Sequence, residues 1–311
     1  MDKRFKSLFN RMGFKKSQLK KKNKQTPFGK QVFIPNTDTN PNQVLNFTKE
    51  LVVPINPLLK HDVLIMNSQY QNKIIELKDI CLEYRKVNHP NTVIFNNLNL
   101  SIFADQIVAL MGPNGVGKTT LFEIITQIRK QTKGKVIFYD DLMKQNPSKY
   151  ISMQTQDFSF PSGLLVKDVI QFIVDLEQID LQENLGEYKR MLKIFKLDTL
   201  WYEKASKLSG GQQQRLNLFI SLLNYPKVLL LDEYATGLDV SSRELIEQFL
   251  ISYVKAHHVT LLFISHELGG LSQIAQRYLI MGNKQIMVDL PHDEVIKQFG
   301  SVNDFVRYYI K

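Results

Sequence analysis

The sequence predicts an α/β fold, a sheet flanked by helices, on two observations. From Ile74 onward short β-type apolar runs alternate with segments of helical period. Two of those runs lead directly into chemistry: Ile107–Met111 opens into a glycine-rich turn followed by a helix, and the run at 228–231 ends in Asp232 and Glu233. A continuous apolar run is the form of a strand buried on both faces. In chain order the expected strands are 74–77, 81–84, 98–102, 107–111, 135–139, 228–231, 261–264, 278–281 and 285–288. Helices are expected over 118–130, 166–177, 187–195, 211–223, 240–254 and 304–310. No internal repeat is visible.

The chain has 311 residues, with hydrophobic residues at 43% and charged residues at 23%, enough for an ordinary globular core. Its formal charge of +10 is local. Residues 1–30 hold eleven basic residues against Asp2, and the remaining 281 residues balance 29 basic against 29 acidic groups. Within this head Phe5, Leu8, Phe9 and Met12 fall at i, i+3, i+4 and i+7, the spacing of an amphipathic helix lying on a membrane surface. Residues 31–72, rich in Asn, Gln, Thr and Pro, read as a polar linker. A single cysteine, Cys81, and no CxxC pair point to a reducing compartment without structural zinc. The longest apolar runs, such as 259–264, fall far short of the roughly 18 residues that cross a bilayer. Lys15 and Lys16 interrupt any apolar block of a secretory signal, so the head is expected to stay on the protein.

The segment Gly112, Pro113, Asn114, Gly115, Val116, Gly117, Lys118, Thr119 fits GxxxxGK[ST] between a strand and a helix. Glycines there let backbone N–H groups and the helix N-terminus face phosphate, Lys118 reaches the terminal phosphates, and Thr119 ligates magnesium. Thr120 follows as a further nucleotide-binding candidate. At the end of the second run, Asp232 is placed to hold the magnesium shell and Glu233 to accept a proton from attacking water. Twenty-four residues before Asp232 begins Leu208, Ser209, Gly210, Gly211, Gln212, Gln213, Gln214, Arg215. Ser209 offers a hydroxyl, Gly210 and Gly211 permit close approach, and the helix that follows points its positive end at phosphate.

This last segment resembles the LSGGQ signature of the ATP-binding cassette family, and the resemblance runs from Ile74 to about Met287. It implies a P-loop NTPase core of the ABC type with an antiparallel β subdomain and a helical subdomain at about 157–208, all within a cassette of residues 73–311. It implies ATP and Mg2+ as ligands, and a signature (Ser209, Gly210, Gly211, Gln212) that closes over nucleotide held by a second subunit. Tyr84 corresponds to the aromatic that stacks on adenine. Gln156 matches the glutamine that contacts magnesium and signals to a membrane partner, with Gln154 as the competing candidate. Thr236, Gly237, Leu238 and Asp239 match the loop that crosses the dimer interface, and His266 matches the histidine that reaches the γ-phosphate. The catalytic set is then Glu233, His266 and Gln156, with Thr119, Gln156 and Asp232 around the metal. Two positions depart from the family: Asp105 stands where Gly is usual, and Tyr234 stands where Pro usually follows the glutamate. Asp tolerates a left-handed turn at modest cost.

One cassette without a spanning segment implies an ATPase subunit that powers a separate transmembrane permease, paired with a second ATPase subunit at the cytoplasmic face of the membrane. Gly237, Leu238 and Asp239 favour export, since many importers carry Ala or Asn at the first position. The alternative is a soluble cassette ATPase that acts as an assembly factor. Translation-associated members usually carry two cassettes, so no nucleic-acid partner is expected. His257 and His258, without ligand company, receive no role.

Overall fold

The apolar runs that end in the two chemical segments flank a third strand at the centre of the molecule. The computed structural model describes residues 72–86, 89–155, 159–265 and 270–310. Within them β3 (Ile107–Met111), β6 (Val228–Asp232) and β7 (Thr260–Ile264) are buried at every position. They belong to a six-stranded sheet of order β5-β6-β7-β3-β8-β9, completed by β5 (Ile151–Gln154), β8 (Arg277–Gly282) and β9 (Gln285–Pro291). All neighbours are parallel except β8 and β9. The run of apolar side chains serves two cores by alternation. Ala109, Met111, Leu229 and Leu231 join one, while Val108, Leu110, Val228 and Leu230 join the other. That is why these strands read as unbroken hydrophobic stretches.

The helices, in chain order, are α1 (Lys118–Ile125), α2 (Asp141–Gln145), α3 (Pro147–Tyr150), α4 (Val166–Glu177), α5 (Leu185–Ile194), α6 (Gly210–Leu222), α7 (Val240–Ala256), α8 (Leu271–Ile274), α9 (His292–Phe299) and α10 (Val302–Tyr309). A second sheet, antiparallel and of order β2-β1-β4, is built from β1 (Lys73–Lys86), β2 (His89–Phe103) and β4 (Lys133–Phe138). Leu121, Phe122, Ile124 and Ile125 of α1 share one core with Ile75, Leu77, Phe95 and Leu100 of this smaller sheet. The helix is therefore held between the two sheets. Arg277 ties them together: its guanidinium donates to both carboxylate oxygens of Asp289 and to the Ser101 carbonyl at 2.9 Å. A bidentate pair of this kind, on a buried arginine, fixes geometry as well as adding energy. The other core packs α4, α5, α6 and α7 on the opposite face of the large sheet.

The structure departs from the sequence-predicted elements in several places. The expected strands 74–77 and 81–84 are one strand that passes through a bulge at Asp79, whose φ is 52° and whose N–H is taken by Asn99 Oδ1 at 2.9 Å. The helix expected over 118–130 stops at Ile125 because Gln127 adopts a left-handed φ of 60° and Thr126 turns its hydroxyl back to the Phe122 carbonyl at 3.0 Å. Helices α2, α3 and α8 and the edge strand β5 are four or five residues long, too short to show a period, and α9 is also not among the expected helices although Val295, Ile296 and Phe299 fall at helical spacing. Asp105 does take a left-handed φ of 59°, with its N–H donated to Thr260 Oγ1 at 3.0 Å. No helix among the described residues is long and apolar enough to cross a membrane. The basic head and the linker, except for its last residue, Asn72, lie outside the described residues.

Candidate functional site

Strand β3 ends at a loop whose shape only glycine permits at two positions. Gly112 has φ 150°, and a Cβ there would sit 2.5 Å from the Met281 carbonyl oxygen. Gly117 has φ 109°, and a Cβ would meet the Phe95 ring at 2.9 Å, so the smaller sheet presses directly on the start of α1. Pro113, Asn114 and Gly115 are exposed, Val116 and Thr120 partly so. Lys118 is buried under this loop, and its Nζ donates to the Gly112 and Pro113 carbonyls at 2.8 and 3.0 Å. Burial pulls the Lys118 pKa down, opposed by the nearby charges of Asp232 and Glu233.

Thr119 and Asp232 are brought together although 113 residues separate them: Thr119 Oγ1 donates to Asp232 Oδ2 at 2.5 Å. Asp232 is 2% exposed, and desolvation raises its pKa despite the Thr119 hydrogen bond. A carboxylate and a hydroxyl at the edge of a phosphate-shaped loop fit Mg2+, a cation held by one or two carboxylates with phosphate oxygens and water completing the shell. Glu233 follows with a left-handed φ of 51°, its N–H donated to the Ile264 carbonyl at 3.2 Å. Its carboxylate lies 3.5 Å from Thr236 Oγ1.

The signature segment caps a helix. Ser209 Oγ accepts from the Gln212 N–H at 3.3 Å, and Gln212 Oε1 accepts from the Ser209 N–H at 2.9 Å, a reciprocal capping box at the start of α6. Gly210 and Gly211 share one expected task, close approach, and the structure separates them. A Cβ at Gly210 would meet nothing within 4 Å, whereas a Cβ at Gly211 would lie 2.3 Å from the Gly237 carbonyl oxygen. Gly211 therefore lets the loop 236–239 of its own chain approach, and Gly210 faces open space. That loop ends in Asp239, which caps α7 by accepting from the Ser242 N–H and the Ser241 hydroxyl at 2.9 and 2.8 Å. These bonds hold its carboxyl well below the usual range, Ser242 contributing most.

Tyr84 sits on β1, partly buried, with the Arg129 guanidinium 5.4 Å from its ring centroid. One ring face is thus covered by a cation. Gln156 and His266 lie outside the described residues. Gln154, the competing candidate, is fully buried and donates to the Thr155 carbonyl at 2.9 Å.

Four side chains, Gln214, Tyr234, Arg243 and Glu247, have roles that the sequence reading did not assign. Gln214 Nε2 donates to the carbonyls of Glu233 and Tyr234 at 3.4 and 3.0 Å, tying α6 to the end of β6. Tyr234 is buried and donates to Glu247 Oε1 at 2.6 Å, and Arg243 Nε donates to the same oxygen at 3.0 Å. The only signal for the latter pair was the i, i+4 spacing of Arg243 and Glu247 on a helix.

Comparison with known proteins follows the same lines. A family model described as ABC transporter matches residues 95–236. The chain is 27% identical over 248 residues to the spermidine/putrescine import ATP-binding protein PotA of Haemophilus influenzae, covering 79% of this chain and 65% of that protein. It is 29% identical over 215 residues to PotA of Clostridium novyi, covering 68% and 60%. The chain thus spans less than two thirds of the length of these curated relatives. Among solved structures it resembles the ATP-binding cassette MJ0796 in a post-hydrolysis dimer bound to ADP and Pi, with a TM-score of 0.62 at 24% identity over 70% of this chain and 98% of the other. An ATP-binding subunit of an ABC transporter superposes with a TM-score of 0.66 at 18% identity, over 76% and 99%. These likenesses establish a shared fold.

Proposed function

We propose that the chain is an ATPase subunit of the ABC type that powers a membrane transporter, a reading supported by the family match over residues 95–236 and by the curated relatives. ATP binds where β3 meets α1, and the observation that carries this is the buried Lys118 beneath a glycine loop beside the Thr119–Asp232 pair. In this reading Gly112, Pro113, Asn114, Gly115, Val116, Gly117, Lys118, Thr119 and Thr120 hold the phosphates, and Tyr84 holds adenine. Thr119, Asp232 and Gln156 surround Mg2+, which supplies charge neutralisation on the phosphates. Glu233 takes the proton of the attacking water, and His266 contacts the terminal phosphate.

Two subunits close on nucleotide, each offering Ser209, Gly210, Gly211 and Gln212 to the phosphates held by the other. The exposure of Ser209 and Gly210 supports that role, as does the open space at Gly210. The Ser209 oxygen accepts the capping bond, which leaves its proton available as a donor. Asp239 shapes the loop that crosses between the subunits. The partners are a separate permease and a second ATPase subunit, and the place of action is the cytoplasmic face of the membrane. The basic residues 1–30 add attraction to anionic lipid. The domain division follows: head 1–30, linker 31–72, cassette 73–311 with its helical insert at about 157–208.

Export is the direction that Gly237, Leu238 and Asp239 favour. Import is the second reading, supported by the names of the curated relatives. Transport into or out of vesicles holding the reconstituted complex separates the two. The core proposal is tested by magnesium-dependent ATP hydrolysis and by calorimetric ATP binding to the full chain. Wild-type protein binds and hydrolyses ATP, and Lys118→Ala loses affinity by about tenfold or more, in proportion to the loss of a charge-assisted contact of about 1.5–3 kcal/mol. Equal affinity in both proteins refutes the phosphate-site assignment.

A further inference from the structure

Tyr234 occupies a position the family usually gives to proline, and its hydroxyl is the centre of a buried network that a proline cannot make. It donates to Glu247 Oε1 at 2.6 Å, which Arg243 also engages at 3.0 Å. Its carbonyl accepts from Gln214 at 3.0 Å, and its ring meets Phe263 edge-on at 6.4 Å between centroids. Gly270, with φ 55°, lies against the other side of the network: a Cβ there would be 2.1 to 2.3 Å from the Glu247 carboxylate. Beside Tyr234, the Glu233 N–H holds the Ile264 carbonyl at the end of β7 at 3.2 Å.

Glu247 belongs to α7, whose first turn is capped by Asp239, and the loop before it rests on Gly211. A rigid helix carries a displacement at its start to every residue along it. Movement at the interface loop thus reaches the Tyr234–Glu247 bond, and through it the backbone of Glu233.

We propose that Tyr234 and Glu247 form a positioning pair that orients Glu233 and sets the rate of hydrolysis rather than nucleotide affinity. The inference rests on the ATPase reading above. Neither residue touches nucleotide; each acts through the backbone next to the reacting carboxylate. Such a loss falls on kcat, because the bond is not part of the nucleotide contacts.

The test is steady-state ATP hydrolysis by the full chain in four forms: wild type, Tyr234→Phe, Glu247→Gln and Glu247→Leu. Tyr234→Phe keeps the ring on Phe263 and removes only the donor. Its kcat falls about tenfold while its KM for ATP stays within about twofold of wild type. Glu247→Gln retains an oxygen for the Tyr234 hydroxyl and keeps at least about half of kcat, whereas Glu247→Leu matches Tyr234→Phe. The double variant Tyr234→Phe/Glu247→Leu is no slower than the slower single variant, as expected for two halves of one contact. Should Glu247→Leu fold poorly by thermal melting, Tyr234→Phe against Glu247→Gln still decides the matter. A Tyr234→Phe protein with wild-type kcat overturns the pair, and so does a loss shared equally by kcat and KM or a Glu247→Gln defect as deep as that of Tyr234→Phe. A wild-type chain that binds ATP without hydrolysing it refutes the ATPase reading itself, a different failure read from a different sample.

Discussion

Replacing Gly211 by alanine tests how the signature helix and the interface loop are held together. The added Cβ would lie 2.3 Å from the Gly237 carbonyl oxygen, a backbone atom with no rotamer to change. An ordinary contact requires the two segments to part by roughly 1 Å, in an interior packed too densely to absorb it freely. Overpacking of this kind costs about 1–3 kcal/mol, against which a Gly→Ala exchange in the first turn of a helix returns less than about 1 kcal/mol. The expected net loss is about 1–2 kcal/mol, measured by urea unfolding of the full chain. Gly210→Ala is the matched control, since its Cβ meets nothing within 4 Å, and it unfolds at or slightly above the wild-type midpoint. A displacement near 1 Å between groups that assemble a reacting site lowers turnover by as much as about a hundredfold, so the ATPase rate of Gly211→Ala drops well beyond its stability loss. A Gly211→Ala protein with wild-type unfolding midpoint and wild-type turnover refutes the close-approach argument.

Two further predictions concern groups away from the loop. Glu177 lines a cavity between β5, α4 and α6, and burial, partly offset by Lys149, pushes its carboxyl up from 4.5 to about 7. Because the folded state disfavours the charged form, wild-type stability declines as pH rises through the window from about 4.5 to 7. Glu177→Gln removes that penalty: it is neutral near pH 4.5 and stabilising by about 1–3 kcal/mol at pH 8, read from urea midpoints across the range; a pH-independent difference counts against the assignment. A chain lacking residues 1–30 is expected to lose binding to vesicles of anionic lipid while wild type binds them, releases in high salt and ignores neutral lipid, each basic residue contributing about 1 kcal/mol before screening. Equal binding by both proteins removes the membrane role.

What could be read from the sequence was decided by burial. Strand β3 and helix α4 have the bounds their patterns predict, because a strand covered on both faces shows an unbroken apolar run and a half-buried helix shows its period. The four residues of β5, Ile151 to Gln154, alternate apolar and polar at the sheet edge, but the run is too short to distinguish a strand from a loop. The left-handed Gln127 that ends α1 early is equally silent, since glutamine favours helix by composition.

The candidate site divides in the same way. Gly112 to Thr119 are contiguous and carry their own geometry, so the glycine loop between β3 and α1 was visible from spacing alone. The Thr119–Asp232 bond and the Tyr234–Glu247 bond join distant or differently oriented segments, and only the parallel arrangement of β3, β7 and β6 or the turn of α7 brings them together. Gly211 shows the limit most clearly. The pattern required glycine there, yet the atom it makes room for belongs to this chain rather than to phosphate.

The central claim is that Glu233 accepts a proton at an ATP site shared by two subunits, and Glu233→Gln tests it most directly. The amide keeps the size of the side chain and removes the base, so ATP binding stays near wild type while hydrolysis slows by about a hundredfold to ten-thousandfold. Purified with ATP and magnesium, the variant accumulates as a nucleotide-bound dimer on gel filtration. Hydrolysis at the wild-type rate, or a monomer under conditions that saturate the site with ATP, contradicts the account.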